Sequence, residues 1–148
     1  MHKPLIQTVA VGAVLAAAAT GCSSKPAPQE PPPGALVSGT AQITVNDTDL
    51  GPFKTVQCTP AGSLMMITTG NEASGSSAFV SNADGLVART VSLTDLGGFT
   101  GSYNQDLQGT AEVSMTGNTY VITGTARGFD TAEPSFTTEA DYTIKVGC

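Results

Sequence analysis

From Leu36 to the C-terminus the chain is a series of short runs in which apolar and polar residues alternate, each closed by Gly, Asn, Asp or Pro. The alternation is cleanest in Ala41, Ile43 and Val45, in Ala111, Val113 and Met115, and in Tyr142, Ile144 and Val146. A period of two sends successive side chains to opposite faces of a strand, so these runs predict β structure with one buried face. The predicted strands are residues 39–45, 53–58, 63–69, 76–81, 86–93, 99–103, 110–115, 119–127 and 135–146. Between them lie Asn46-Asp47, Pro60-Ala61-Gly62, Gly70-Asn71, Asn82-Ala83-Asp84-Gly85, Asp95-Leu96-Gly97-Gly98 and Thr116-Gly117-Asn118. Such residues supply the positive φ or the local side-chain bond that a turn requires. No stretch beyond Leu36 repeats with the three-to-four-residue period of a helix face. Strands recurring at intervals of about 8 to 12 residues predict an all-β domain, an antiparallel β-sandwich first and an open β-barrel second.

Ahead of Leu36 the pattern is different. Lys3 is followed by an apolar run from Val9 to Ala19 that ends in Ala19-Thr20-Gly21-Cys22. The run is short for a bilayer span, and small residues directly after it fit signal cleavage. The segment resembles a bacterial lipobox, with Ala at position 19 where Leu is commonest. Residues 1–21 are therefore expected to be a lipoprotein signal peptide, and the thiol of Cys22 is expected to accept diacylglycerol. Ala17-Ala18-Ala19 also spells an ordinary A-x-A cleavage site, a reading that would leave Cys22 as a free thiol.

Residues 22–35 hold most of the prolines, and Pro26, Pro28 and Pro31-Pro32-Pro33 favour an extended polyproline conformation. At about 3.1 Å per residue this tether would hold residues 36–148, one domain, up to about 35 Å from the acyl chains. One acyl chain binds a membrane only marginally and two bind it firmly, so the lipid anchor makes the membrane a partner. The expected address is the extracytoplasmic face of the cell membrane or the envelope surface.

With Cys22 assigned to lipid, Cys58 and Cys148 remain as a pair. Val56 and Cys58 share one strand face, and Tyr142, Ile144, Val146 and Cys148 share another, so both sulfurs are expected in the apolar layer and joined as a disulfide. A redox or metal role fits poorly. The two cysteines are far apart in sequence, form no C-x-x-C and have no histidine beside them. Trp is absent and aromatics are 5% of the chain, so the core is expected from Val, Ile, Leu, Met and the five Phe. Net charge is −6, and −7 once Lys3 leaves with the signal, a balance that repels phosphate backbones and excludes nucleic acid as a partner.

The inventory for catalysis is short. His2 is the only histidine and lies in the signal, which removes imidazole from any nucleophile–base arrangement in the mature chain. Glu112, Glu139 and Asp141 sit on the polar side of their alternation and read as solvated strand faces. Asn46-Asp47-Thr48-Asp49-Leu50-Gly51 carries acidic oxygens two apart but lacks a third acidic ligand and the bidentate Glu of a calcium loop, so it reads as a hairpin. No catalytic residue, metal ligand or cofactor is expected. Leu64, Met65, Met66 and Phe79 could line a cavity for a small apolar or lipid ligand, since methionine adapts to irregular surfaces; plain core packing is the competing reading.

Tyr120-Val121-Ile122-Thr123-Gly124-Thr125-Ala126-Arg127-Gly128-Phe129-Asp130, running into a last strand that ends in Cys148, resembles the mycobacterial nineteen-kilodalton lipoprotein antigen family. So does Val56-Gln57-Cys58-Thr59-Pro60-Ala61-Gly62, a cysteine ahead of a small-residue turn. The resemblance covers the lipobox, the tether and most of the domain. It implies a surface-exposed, acylated envelope protein of an actinobacterium with a β-rich domain, recognised by host Toll-like receptor 2 through its lipid, with Cys22 acylated and Cys58 bridged to Cys148; with no catalytic residue expected, the first function is a non-enzymatic surface antigen. The family's tether is rich in Thr and carries mannose. Here only Ser23 and Ser24 supply hydroxyls, so the resemblance does not extend to glycosylation. The alternative function is an envelope module that carries or transports a small apolar ligand.

Overall fold

A computed structural model describes residue 27 and residues 29–148; the signal segment, Cys22 and residues 23–26 and 28 of the tether lie outside the described residues. Ten strands follow one another: β1 (Ala41–Val45), β2 (Thr48–Phe53), β3 (Val56–Ala61), β4 (Leu64–Gly70), β5 (Gly75–Ser81), β6 (Val87–Leu96), β7 (Phe99–Asn104), β8 (Thr110–Thr116), β9 (Thr119–Asp130) and β10 (Thr137–Gly147). Every pairing is antiparallel, in the order β2-β1-β10-β9-β7-β6-β5-β4-β3, with β8 also on β9.

β9 organises this sheet. One of its edges pairs with β10 from Phe129 opposite Thr137 to Thr119 opposite Gly147. Its other edge is shared, with β8 along Thr119 to Thr125 and β7 along Arg127 to Asp130. Gly124 and Gly128 flank the handover, and a Cβ at either would run into the carbonyl oxygen of Thr110 or Thr100. Only glycine lets the neighbouring backbones come this close.

Six strand spacings separate β3 from β10 along the sheet, about 29 Å if it were flat. Yet the Cα atoms of Cys58 and Cys148 are 5.9 Å apart and their sulfurs are bonded. The sheet is therefore coiled on itself, with the disulfide pinning the end strand β3 to the C-terminal end of β10. This all-β, disulfide-closed architecture is the one expected, and it stands between a sandwich and a nearly closed barrel.

The predicted strand 53–58 is corrected. It straddles Lys54-Thr55, where β2 ends and β3 begins, and β2 was hidden by Gly51-Pro52. Asn46 and Asp47 both have positive φ, 46° and 61°, as a tight hairpin between β1 and β2 demands. Gly51 at φ 85° then forms a bulge where the β1–β2 register shifts, with its N–H donating to Asp49 Oδ1. Pro52 is tolerated because β2 is an edge strand, and Pro60 sits in the other path-end strand, β3. β6 likewise runs into the expected turn through a bulge at Asp95, φ 43°, which returns Leu96 to the core and leaves Gly97-Gly98 as the turn.

The core contains Ile43, Ile67, Val80, Val91, Leu93, Ile122, Ile144 and Val146, as the alternation predicts. Its aromatic share is corrected. Tyr103, Tyr120 and Tyr142 are buried together with Phe99, whereas Phe79, Phe129 and Phe136 are exposed. Register explains the exchange, because the exposed Phe residues fall on outward positions or in a turn. Two of the tyrosines enter because their hydroxyls find partners: Tyr103 donates to the Ala88 carbonyl oxygen and Tyr142 to that of Thr110.

Candidate functional site

Alternation and register together place Cys58 in an inward row with Ile67, Ala78, Val91 and Tyr103. Cys148 follows directly after β10, and its N–H donates to the Asn118 carbonyl oxygen at 2.9 Å. Both cysteines are half-buried against the core, so the disulfide expected from cysteine count and strand parity is present.

The chain enters the domain beside that bond. Leu36 N–H donates to Thr119 Oγ1 at 2.8 Å, Gly39 N–H to the Gly147 carbonyl oxygen at 2.8 Å, and Gly147 N–H to that of Thr40 at 2.9 Å. Thr119 is fully buried, so its hydroxyl is a fixed acceptor. Asn118 Nδ2 donates to Ser38 Oγ. Sequence reasoning missed this clasp, since a Thr at the start of a strand carries no signal of a partner 83 residues away.

The four apolar candidates separate. Met65 points inward and packs against the core, paired with Val80. Leu64, Met66 and Phe79 point the other way, with Met66 directly opposite Phe79 and Leu64 and Phe79 exposed. Two surface grooves, of about 640 and 470 Å³, lie elsewhere. The first lies between residues 29–38 and Asn118, and the second is a polar recess around the β4–β5 turn.

Next to Met66 and Phe79 runs a row of small polar side chains. Gln57 pairs with Thr68, Thr68 with Ser77, Ser77 with Ser92 and Ser92 with Ser102. The row becomes charged only past β7, at Arg127 and Glu139, which face each other on β9 and β10.

Among the described residues the titratable groups show no arrangement for acid–base chemistry. Burial pushes the Tyr142 hydroxyl far above its ordinary value, with Tyr103 adding to the effect. Tyr103 is also raised, first by burial and then by Asp106, with Arg89 opposing. Both phenols are structural donors. Glu112, Glu139 and Asp141 are exposed, and no cluster of three or more potential metal ligands occurs among the described residues.

The family model described as Mycobacterium 19 kDa lipoprotein antigen matches residues 34–148. A protein of Mycobacterium indicus pranii named as a lipoprotein is 39% identical over 144 residues, covering 96% of this chain and 98% of that protein. Lipoprotein LpqH of Mycobacterium avium is 33% identical and that of Mycobacterium tuberculosis 30%, each over 160 residues, 100% of this chain and 99% of the relative. The chain belongs to the Mycobacterium 19 kDa lipoprotein antigen family.

Proposed function

We propose that this protein is a lipid-anchored envelope antigen in which residues 1–21 are removed, Cys22 is acylated, residues 22–35 form the tether and residues 36–148 the exposed, non-catalytic domain. The observation that carries the reading is Ala19-Thr20-Gly21-Cys22 and the Pro-rich stretch after it, in a chain similar over its whole length to proteins named as lipoproteins. The anchor places the domain on the extracytoplasmic side of the membrane. Host Toll-like receptor 2 reads the acyl chains, because an apolar receptor pocket accepts hydrocarbon while the acidic domain offers no motif for it.

The test is detergent-phase partitioning of the Cys22→Ala variant made in a mycobacterial host. The parent enters the detergent phase and the variant stays in the aqueous phase; equal partitioning refutes the anchor. The receptor step is read separately, by comparing lipidated and enzymatically delipidated protein in a Toll-like receptor 2 reporter assay. Full activity after delipidation refutes that step alone.

A further inference from the structure

The outer face of β3 to β7 carries no charge in its two central rows, on a chain whose net charge is −6. One row is Gln57, Thr68, Ser77, Ser92 and Ser102; the adjacent row holds Met66 and Phe79 between Thr59 and Thr90. Arg89, the single cation on these strands, is displaced by a bulge and donates to Gln105 Oε1 at 2.7 Å. In the polar row only Ser102 has its hydroxyl engaged within the chain among the described residues, accepting from Asn104 and Gln108. Phe79 is 39% and Leu64 36% exposed, so an aromatic ring and its aliphatic neighbours lie open beside a line of free hydroxyl and amide groups.

This pairing of groups narrows the partner. Hydroxyls and amides each donate and accept, and therefore match a ligand whose own groups do both. A phosphorylated or sulfated polymer would find no cation within the two rows, since Arg89 is engaged by Gln105 and Arg127 lies beyond Ser102. A bare acyl chain would cover the hydroxyl row and leave it unsatisfied. The row advances by about 4.8 Å per strand, close to the repeat of a pyranose chain, and its five members span about 19 Å. Sugar rings also present apolar C–H faces, which an exposed Phe ring accommodates.

We propose that the outer face of β3 to β7 binds a neutral glycan chain, whose C–H faces pack on Phe79 and Met66 while its hydroxyls bond to Gln57, Thr68, Ser77 and Ser92. The site is independent of the lipid at Cys22.

The test uses the full chain in a detergent without a sugar headgroup, titrated with neutral malto-, manno-, galacto- and arabino-hexaoses while amide chemical shifts are followed. One of the four shifts residues on β4, β5 and β6 around Thr68, Ser77, Phe79 and Ser92. Phe79→Ala weakens that binding about tenfold, as loss of one ring platform would, and Phe79→Tyr retains it. Because Phe79 is exposed, the variants keep the fold, which an unchanged disulfide and spectrum verify. Absence of shifts with all four sugars overturns the proposal. So does an unaltered affinity in Phe79→Ala, or the same residues responding to dodecanoate or to protein concentration in place of sugar.

Discussion

Tyr142 donates its hydroxyl to the Thr110 carbonyl oxygen at 3.0 Å, reaching over β9 to join β10 to the first residue of β8. The reach is open because Tyr142 pairs with Gly124, which has no side chain, and Gly124 in turn pairs with Ala111 beside Thr110. One contact thus ties three strands where β9 passes from β8 to β7. Removing the hydroxyl leaves a carbonyl short of a partner, so Tyr142→Phe is expected to lower stability by about 1 kcal/mol. Urea unfolding at neutral pH measures it.

Stability should fall in alkali. Tyr142 and Tyr103 both have pKa values raised in the folded chain above the ordinary phenol value of 10.0. Below pH 10 the phenols are protonated in both states and their burial is without penalty. As pH rises past 10 the unfolded chain loses these protons while the folded chain holds them, so unfolding gains. Melting temperatures measured from pH 8 to 11 should decline above 10, and less steeply in Tyr142→Phe. An unchanged slope in that variant would show that Tyr142 is not the group responsible.

The disulfide closes a loop of 90 residues, and Cys148 is the last residue of the chain. The chain-entropy model gives about 4 to 5 kcal/mol for such a loop. Reduction, or Cys58→Ala with Cys148→Ala, should lower the guanidinium midpoint correspondingly. Hydrogen exchange should accelerate first in β3, a path-end strand that otherwise pairs only with β4, and at the C-terminal end of β10.

Gly124→Ala is expected to be severe although alanine is small. Its Cβ would meet the Thr110 carbonyl oxygen, so β8 and β9 must move apart. A loss of more than about 2 kcal/mol is expected, against about 0.5 or less for Ser114→Ala on the exposed side of β8. Chemical denaturation of the two variants side by side gives the comparison.

Thr119→Val removes the acceptor of Leu36 N–H while keeping the shape of a buried side chain. The expected loss is about 1 to 2 kcal/mol. Limited proteolysis should then cut faster between Ala35 and Thr40, because the tie of Leu36 to β9 is lost. Equal cutting in parent and variant would mean that the Gly39 and Thr40 bonds to Gly147 hold this segment without Thr119.

Sequence alone determined the class of this fold, most of its strands and the partner of Cys58. These are local quantities: alternation is a property of neighbours, and the parity that turns Cys58 and Cys148 inward is counted along each strand. Strand β2 escaped because Gly51 and Pro52 break strands in isolation; a bulge and an edge position, both defined by pairing with β1, made them acceptable. Tyr103 and Tyr142 entered the core, where most of the Phe residues did not, because the carbonyl oxygens of Ala88 and Thr110 were within reach. Tertiary structure alone decided that β9 serves β8 and β7 in turn, that residues 36–40 clasp β10, and that Met65 faces the core while Met66 faces solvent with Phe79. Each depends on which distant strands lie side by side. The two faces of a strand become inside and outside only once the sheet has coiled and the disulfide has joined β3 to the end of β10.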